Sequence, residues 1–378
     1  MPRRAVLVLL LCLWAVGLSA QDLGDIQVHG FATQGFLFSS NNNYLSMQSS
    51  RGSLEWTEGA VGVSDSVTDN LRVGIQIHMY EMGQIGGSHV VVDWASGDYK
   101  INDQLGFRAG KVKIPMGLFN DSQDVDSLFL WVLLPQAMYP DDNRDYDLAL
   151  LGGEIYGGVP LGKRGGRVEY RGYLGDSRLD PNGGYVQQLA EFGMTFTNPP
   201  EGKDFGGDVR WVTPWRGLTV GSSAQSQALD GTGPQGSLHM PAELSLAQYA
   251  EWRKGNLYVA AEYWRLPIYP VLTMASVTIP VPFDQRAWYP MVSYRVMKKL
   301  QVGTYYSHYV NKAGDTSLPA NYSKDWVVSG RYDFNEYFYG KVEGHFLHGT
   351  GLGYYASVNP DGLKPNSNML AARIGFAF

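Results

Sequence analysis

The chain has 378 residues, with 36 acidic side chains against 30 basic ones and a formal net charge of −6, a balance that argues against a nucleic-acid partner. Its one cysteine, Cys12, falls in the N-terminal leader, so disulfides, thiol chemistry and cysteine metal sites are excluded from everything after it. The 46 glycines and 24 tyrosines suit an all-β chain of tight turns and aromatic belts, and no run of about 18 apolar residues follows the leader, so no membrane helix is expected.

Arg3 and Arg4 precede an apolar run over 5–18 and then Ser19-Ala20, the make-up of a secretory signal peptide, residues 1–20, cut after Ala20. The run is short for a membrane span. Cys12 stands behind three leucines with no small residue before it, which argues against a lipoprotein signal. The expected mature protein, 21–378, contains no linker and reads as one domain.

From there the chain alternates. Over 26–38, Ile26, Val28, Gly30, Ala32, Phe36 and Phe38 form one face and Gln27, His29 and Thr33 the other, with Gln34 breaking the apolar side. Period-two alternation of this kind marks a strand with one face on an apolar medium and the other on water. A polar loop over 39–50 leads to a second strand near 51–64, whose faces separate poorly. Over 71–79, Leu71, Val73, Ile75, Ile77 and Met79 oppose Arg72, Gly74, Gln76 and His78. Two more strands, 88–97 and 104–113, flank a turn at 98–103, and a long interruption then fills 114–146. Strands at 147–159 and 166–175 precede a second long loop over 176–205, followed by strands at 206–212 and from 218. A loop near 228–244 leads to a strand ending at Trp252, a hairpin turn at 253–256 and a strand over 257–264. After a Pro-rich loop over 267–286 come strands at 288–296, up to Tyr309, at 325–332 and at 338–346.

The last nine residues close the pattern: Leu370, Ala372, Ile374, Phe376 and Phe378 are apolar, while Ala371, Arg373, Gly375 and Ala377 are small or charged. The chain stops on an aromatic residue, as a bacterial outer-membrane barrel commonly does where its last strand closes against its first and carries the signal read by the barrel-assembly machinery. Arg373, Phe376 and Phe378 are therefore the expected closure residues. Sixteen strands result, and short turns alternate with longer polar loops. The fold expected is all-β, a 16-stranded antiparallel transmembrane barrel in contact with membrane lipids.

In the clear strands the charges share one parity, among them Arg72, Asp93, Arg108, Glu154, Arg171, Glu262, Lys341, Glu343 and Arg373. Arg or Lys on a barrel's lipid face costs roughly 2 to 4 kcal/mol at mid-membrane, so this parity belongs to the interior. A soluble sandwich would carry the same alternation with the faces reversed.

The stretch 114–146 holds Asp121, Asp124, Asp126, Asp141, Asp142 and Asp145, with Arg144 its only base. Lys111 and Lys113 end the strand that feeds it, and Arg72 and Arg108 could face it across the lumen. Folded inward, these groups would set a basic wall against an acidic loop, a transverse field that sorts ions. The bland reading leaves the aspartates solvated outside. The apolar run 128–134 cannot sit bare in water and reads first as a short helix on the barrel wall or a subunit contact. Asp141, Asp142 and Asp145 could hold calcium, but an exposed acidic turn is the plainer reading, and no metal or cofactor is expected.

The segment Phe107-Arg-Ala-Gly-Lys-Val-Lys-Ile-Pro-Met-Gly-Leu118 resembles the G-K-x-K-x-P-x-G stretch of the phosphate-selective porin family and its porin relatives. Leu134-Pro-Gln-Ala-Met-Tyr-Pro140, Thr213-Pro-Trp-Arg-Gly-Leu218 and Lys341-Val-Glu-Gly-His345 are similar to those chains too. The resemblance implies a sixteen-stranded barrel, a homotrimer, passing small hydrophilic solutes or ions through an eyelet narrowed by the loop after the fifth strand. The lumen departs from a phosphate-selective pattern, being mixed in sign with an acidic loop. Two other functions fit a barrel: a sleeve for a partner such as a multihaem electron carrier, and an outer-membrane hydrolase. The chain has no Cys-x-x-Cys-His site, and its 7 histidines lie in no nucleophile motif, so neither a haem of its own nor an enzyme is expected.

Overall fold

A computed structural model describes residues 26–162 and 164–378; the leader and its cleavage site lie outside the described residues. The strands on the way out and back are β1 (Gln27–Ser39), β2 (Trp56–Ser66), β3 (Leu71–Met82), β4 (Val90–Asn102), β5 (Leu105–Lys113), β6 (Ala149–Pro160), β7 (Arg167–Arg178), β8 (Asn198–Val212) and β9 (Leu218–Gly233). They continue with β10 (Gly236–Lys254), β11 (Leu257–Ile268), β12 (Val271–Met274), β13 (Val277–Pro280), β14 (Phe283–Met297), β15 (Leu300–Asn311), β16 (Tyr322–Asp333), β17 (Phe338–His348) and β18 (Asn366–Ala377). One helix of eight residues, α1 (Gly184–Glu191), lies between β7 and β8.

Each wall strand pairs antiparallel with its neighbour, and β18 returns to β1 from Phe31↔Ala377 to Ser39↔Met369. The terminal residue joins the closure: Gly30 N–H donates to the Phe378 carbonyl at 3.1 Å and Phe378 N–H to the Gly30 carbonyl at 3.0 Å. Closure removes the free edges that an open sheet could not leave in lipid. Because β11 pairs directly with β14, β12 and β13 are a short hairpin outside the wall, resting on the outer end of β10. Sixteen strands thus form the barrel.

The faces follow the sequence pattern. Along β3, Ile75 and Ile77 are 41% and 44% exposed while Gln76 and His78 are 3% and 1%. Apolar side chains point out and polar ones in, which is the reverse of a soluble sandwich. On β18, Arg373 turns inward, while Phe376 packs outside on Phe338 with ring centroids 4.9 Å apart.

Three local expectations need correction. The stretch 228–244 is not a loop: β9 and β10, of 16 and 19 residues, run on as a hairpin turned at 234–235. Its Gly and Pro residues suggested a break, but a bulge between Met240 and Glu243 absorbs Pro241 within the strand. The expected turn at 98–103 is mostly strand, because Asp98 pairs inward with Arg108. The second long loop is shorter than expected and contains α1.

Candidate functional site

The segment 114–148 is held against inward-facing side chains on well-separated strands of the barrel. It turns at Gly117, whose φ of +70° favours glycine and where a Cβ would press on the Glu262 and Tyr139 side chains. The Gly117 N–H donates to Ser223 Oγ at 3.0 Å, and Glu262 of β11 accepts from Leu118 N–H at 2.8 Å and Tyr139 OH at 2.6 Å. Four wall strands further round, Glu343 of β17 accepts from the N–H groups of Val132 and Leu133, each at 3.0 Å. Lys341 donates to the carbonyls of Asp126 at 2.7 Å and Trp131 at 3.0 Å. Two wall carboxylates thus satisfy backbone donors that would otherwise be buried without partners.

Between these anchors the apolar run is buried from Leu130 to Leu134: Leu130, Trp131 and Leu134 join inward side chains such as Trp264, Tyr289, Met291 and Tyr305 in one cluster, and Val132 and Leu133 join a second with Leu37, Trp56 and Leu347. It is not a helix. Only Asp126–Leu128 takes a 3-10 turn, and the chain beyond it is irregular, because its donors go to Glu343 rather than to carbonyls a turn earlier.

The charged residues expected at the lumen meet one another. Lys113 Nζ lies 2.5 Å from Asp124, which also accepts from Gln76 at 2.6 Å. Asp121 pairs with Arg171. Asp126 pairs with Arg373 at 2.7 Å and Lys341 at 2.9 Å. Arg144 reaches Asp93 at 3.1 Å and Glu58 at 3.3 Å and contacts His78. Asp124 and Asp126 are 1% and 6% exposed, so they are not solvated outside.

Arg72, Arg108 and Lys111 behave differently. Arg108 pairs within the wall, with Asp98 at 2.8 Å and Glu154 at 3.4 Å. Arg72 donates to Gln27 at 2.9 Å and Ser64 at 2.7 Å. Lys111 stands opposite Ala95 at the last β4–β5 pair, and its Nζ donates to the Val92 carbonyl at 2.5 Å. Neither Arg72 nor Lys111 has a carboxylate partner among the described residues. Of the anchors, Glu58 escaped sequence reasoning because the faces of its strand separate poorly; Glu262, Lys341 and Glu343 were visible only as inward charges.

Three cavities flank the segment. An outer one of about 870 Å³ is lined by Asp142, Asp147, Glu191, Tyr146 and Trp264, with Arg144 at its edge. A second of about 520 Å³ also touches Arg144 and reaches Lys111. A third of about 760 Å³, toward the short turns, is lined by Lys111, Lys113, Arg72, Arg108, Arg171 and Asp121. The acidic turn beside the outer cavity is not the exposed feature its sequence suggested. Burial pushes Asp142 up to about 6 although Tyr355 OH donates to it at 2.8 Å. Burial also raises Asp145 to about 7, and burial with the nearby Asp204 raises Asp147 to about 7.

No family profile and no curated protein matches the sequence. The fold has solved counterparts. OmpF of Salmonella typhi, in complex with daunomycin, superposes with a TM-score of 0.61 at 15% identity, covering 93% of this chain and 97% of that one. An anion-selective porin from Comamonas acidovorans gives 0.58 at 11% identity over 93% and 99%. OmpT of Vibrio cholerae gives 0.58 at 11% over 93% and 97%. At such identities the likeness is one of fold, shared with bacterial outer-membrane porins.

Proposed function

We propose that this chain is an outer-membrane porin through which small hydrophilic solutes or ions diffuse passively, with no chemical step. The observation that carries the reading is the closed sixteen-stranded barrel with polar side chains turned inward and three cavities along its interior. Arg144 lines both the outer and the middle cavity and Lys111 both the middle and the inner one, so on this reading both side chains border the path of a hydrated solute. The segment 114–148 is the constriction on this reading, fastened by Glu262 and Glu343. Lys113, Asp121, Asp124 and Asp126 hold it in shape as ion pairs. The charges in the inner cavity without a carboxylate partner among the described residues, Arg72 and Lys111, favour anions. A sleeve for a threaded electron carrier is disfavoured, since the buried cluster around Leu130 and Trp131 occupies the space it would need. Assembly as a homotrimer parallels the trimer form of Vibrio OmpT. The terminal strand with Phe378 is the segment offered to the barrel-assembly machinery.

Planar-bilayer recording tests this. The protein should give stable open steps, with a reversal potential on the anion side in a salt gradient. Absence of open steps would remove the porin reading, and a cation-side potential would remove the role given to Arg72 and Lys111.

A further inference from the structure

We propose that the outer cavity is a binding site for a neutral saccharide, which packs one face on an apolar wall and turns its hydroxyls to an acidic one. The inference rests on the porin reading and names a solute class for it. Toward the long-loop ends of β11, β14 and β15 the inward face turns apolar. Trp264 stands opposite Ala287, Ile268 opposite Phe283, and Ala287 opposite Tyr309. These are cross-strand neighbours, so the apolar face is continuous. Leu266 faces Gln285 within it, which adds one amide. A second apolar inward patch, around Leu37 and Trp56, is packed under Tyr44, Leu45 and Met47 of the loop that follows β1. The patch on β11, β14 and β15 instead borders the open cavity.

The rest of the lining is polar and comes from the acidic turn and α1. Asp142 accepts from Tyr355 OH at 2.8 Å and Asp147 from the Gln225 amide at 3.0 Å, and neither has a basic partner among the described residues. A carboxyl accepts more than one donor, so each can take a solute hydroxyl as well. Gln188 of α1 adds an amide. A pyranose matches both walls: its C–H face packs flat on aromatic and aliphatic side chains, and its hydroxyls donate to carboxyls and amides. The volume of about 870 Å³ is that of a small-molecule site and takes a mono- or disaccharide. Charge decides between a neutral ring and a charged one. Asp142 and Asp147 retard an anion in the outer cavity, while Arg72 and Lys111 retard a cation farther in. A neutral solute meets no opposing field at either place.

The test is single-channel recording in planar bilayers with millimolar maltose on the long-loop side. Brief closures are expected, more frequent as the sugar concentration rises. Mannitol, an open-chain polyol with no ring face, should need a roughly 10-fold higher concentration for the same block. L266S/F283S should raise the half-blocking concentration of maltose by roughly 10-fold. V277S, on the hairpin outside the wall, should leave it unchanged. Equal block by mannitol, an unaltered L266S/F283S, block only from the short-turn side, or stronger block by the cation glucosamine than by glucose would each overturn the assignment. Should the double variant fail to fold, equilibrium dialysis of labelled maltose with wild type decides, in a detergent without a sugar headgroup. Retention that mannitol does not compete away supports the site, and absence of retention rejects it. Open steps that maltose never interrupts reject the site and leave the porin standing. Retention of maltose by a protein that gives no open steps rejects the porin and keeps the site.

Discussion

Lys111 and Lys113 are two residues apart, yet they do different jobs. Lys113 is locked to Asp124, which is 1% exposed, so Lys113→Gln strands a buried carboxylate and should cost about 3 kcal/mol in denaturant unfolding. Lys111 has no carboxylate to strand among the described residues. Lys111→Gln should leave the unfolding midpoint within about 0.5 kcal/mol of wild type and move the reversal potential toward cations. If Lys113→Gln moved selectivity alone, or Lys111→Gln stability alone, the roles would have to be exchanged. The inward parity of most of these charges was legible in the sequence, because lipid excludes them. Their partners were not. Asp126 meets Arg373 from nearly the other end of the chain, and no local pattern encodes that.

At the scale of elements, one segment is fastened to two separate stretches of the wall. Glu343→Ala would leave the Val132 and Leu133 N–H groups without acceptors, about 1 to 3 kcal/mol for each. The barrel strands should survive, since their ladders are untouched. The expected outcome is faster amide exchange over 130–134 and larger, noisier single-channel steps, while Glu343→Gln, which keeps one acceptor oxygen, falls between. Unchanged exchange and conductance would mean the apolar cluster alone holds the segment. The strands were largely readable because a period of two survives wherever one face meets lipid. The helix expected at 128–134 was not there, since a run apolar on every side has no period and only its side-chain acceptors decided its path. The hairpin of β9 and β10 was missed for a related reason. Beyond the membrane neither face is constrained, and Gly231, Gly233 and Pro241 look like a loop, although the glycines stand in a ladder and the proline in its bulge.

Across the whole molecule the charge is divided by height. Arg72 and Lys111, without a carboxylate partner among the described residues, supply positive charge to the inner cavity, while Asp142 and Asp147 line the outer one and Asp145 lines the middle one. Burial raises those three carboxyls to about 6, 7 and 7, so they are mostly protonated near pH 5 and ionised near pH 8. The fold therefore favours their neutral forms. The stability gained from this is whole below the ordinary carboxyl range near 4 and is lost as pH rises through 6 to 7, so thermal stability should decline across that window. Selectivity should move with it, because each proton lost puts negative charge on the path that anions must take. The anion-to-cation permeability ratio is expected to fall between pH 5 and 8, more when the long-loop side is titrated than the other side. Asp142→Asn with Asp147→Asn should flatten the response, since an amide keeps the size and much of the hydrogen bonding without the charge. A ratio that stayed constant over this range, or changed only from the short-turn side, would place the titrating groups elsewhere in the lumen.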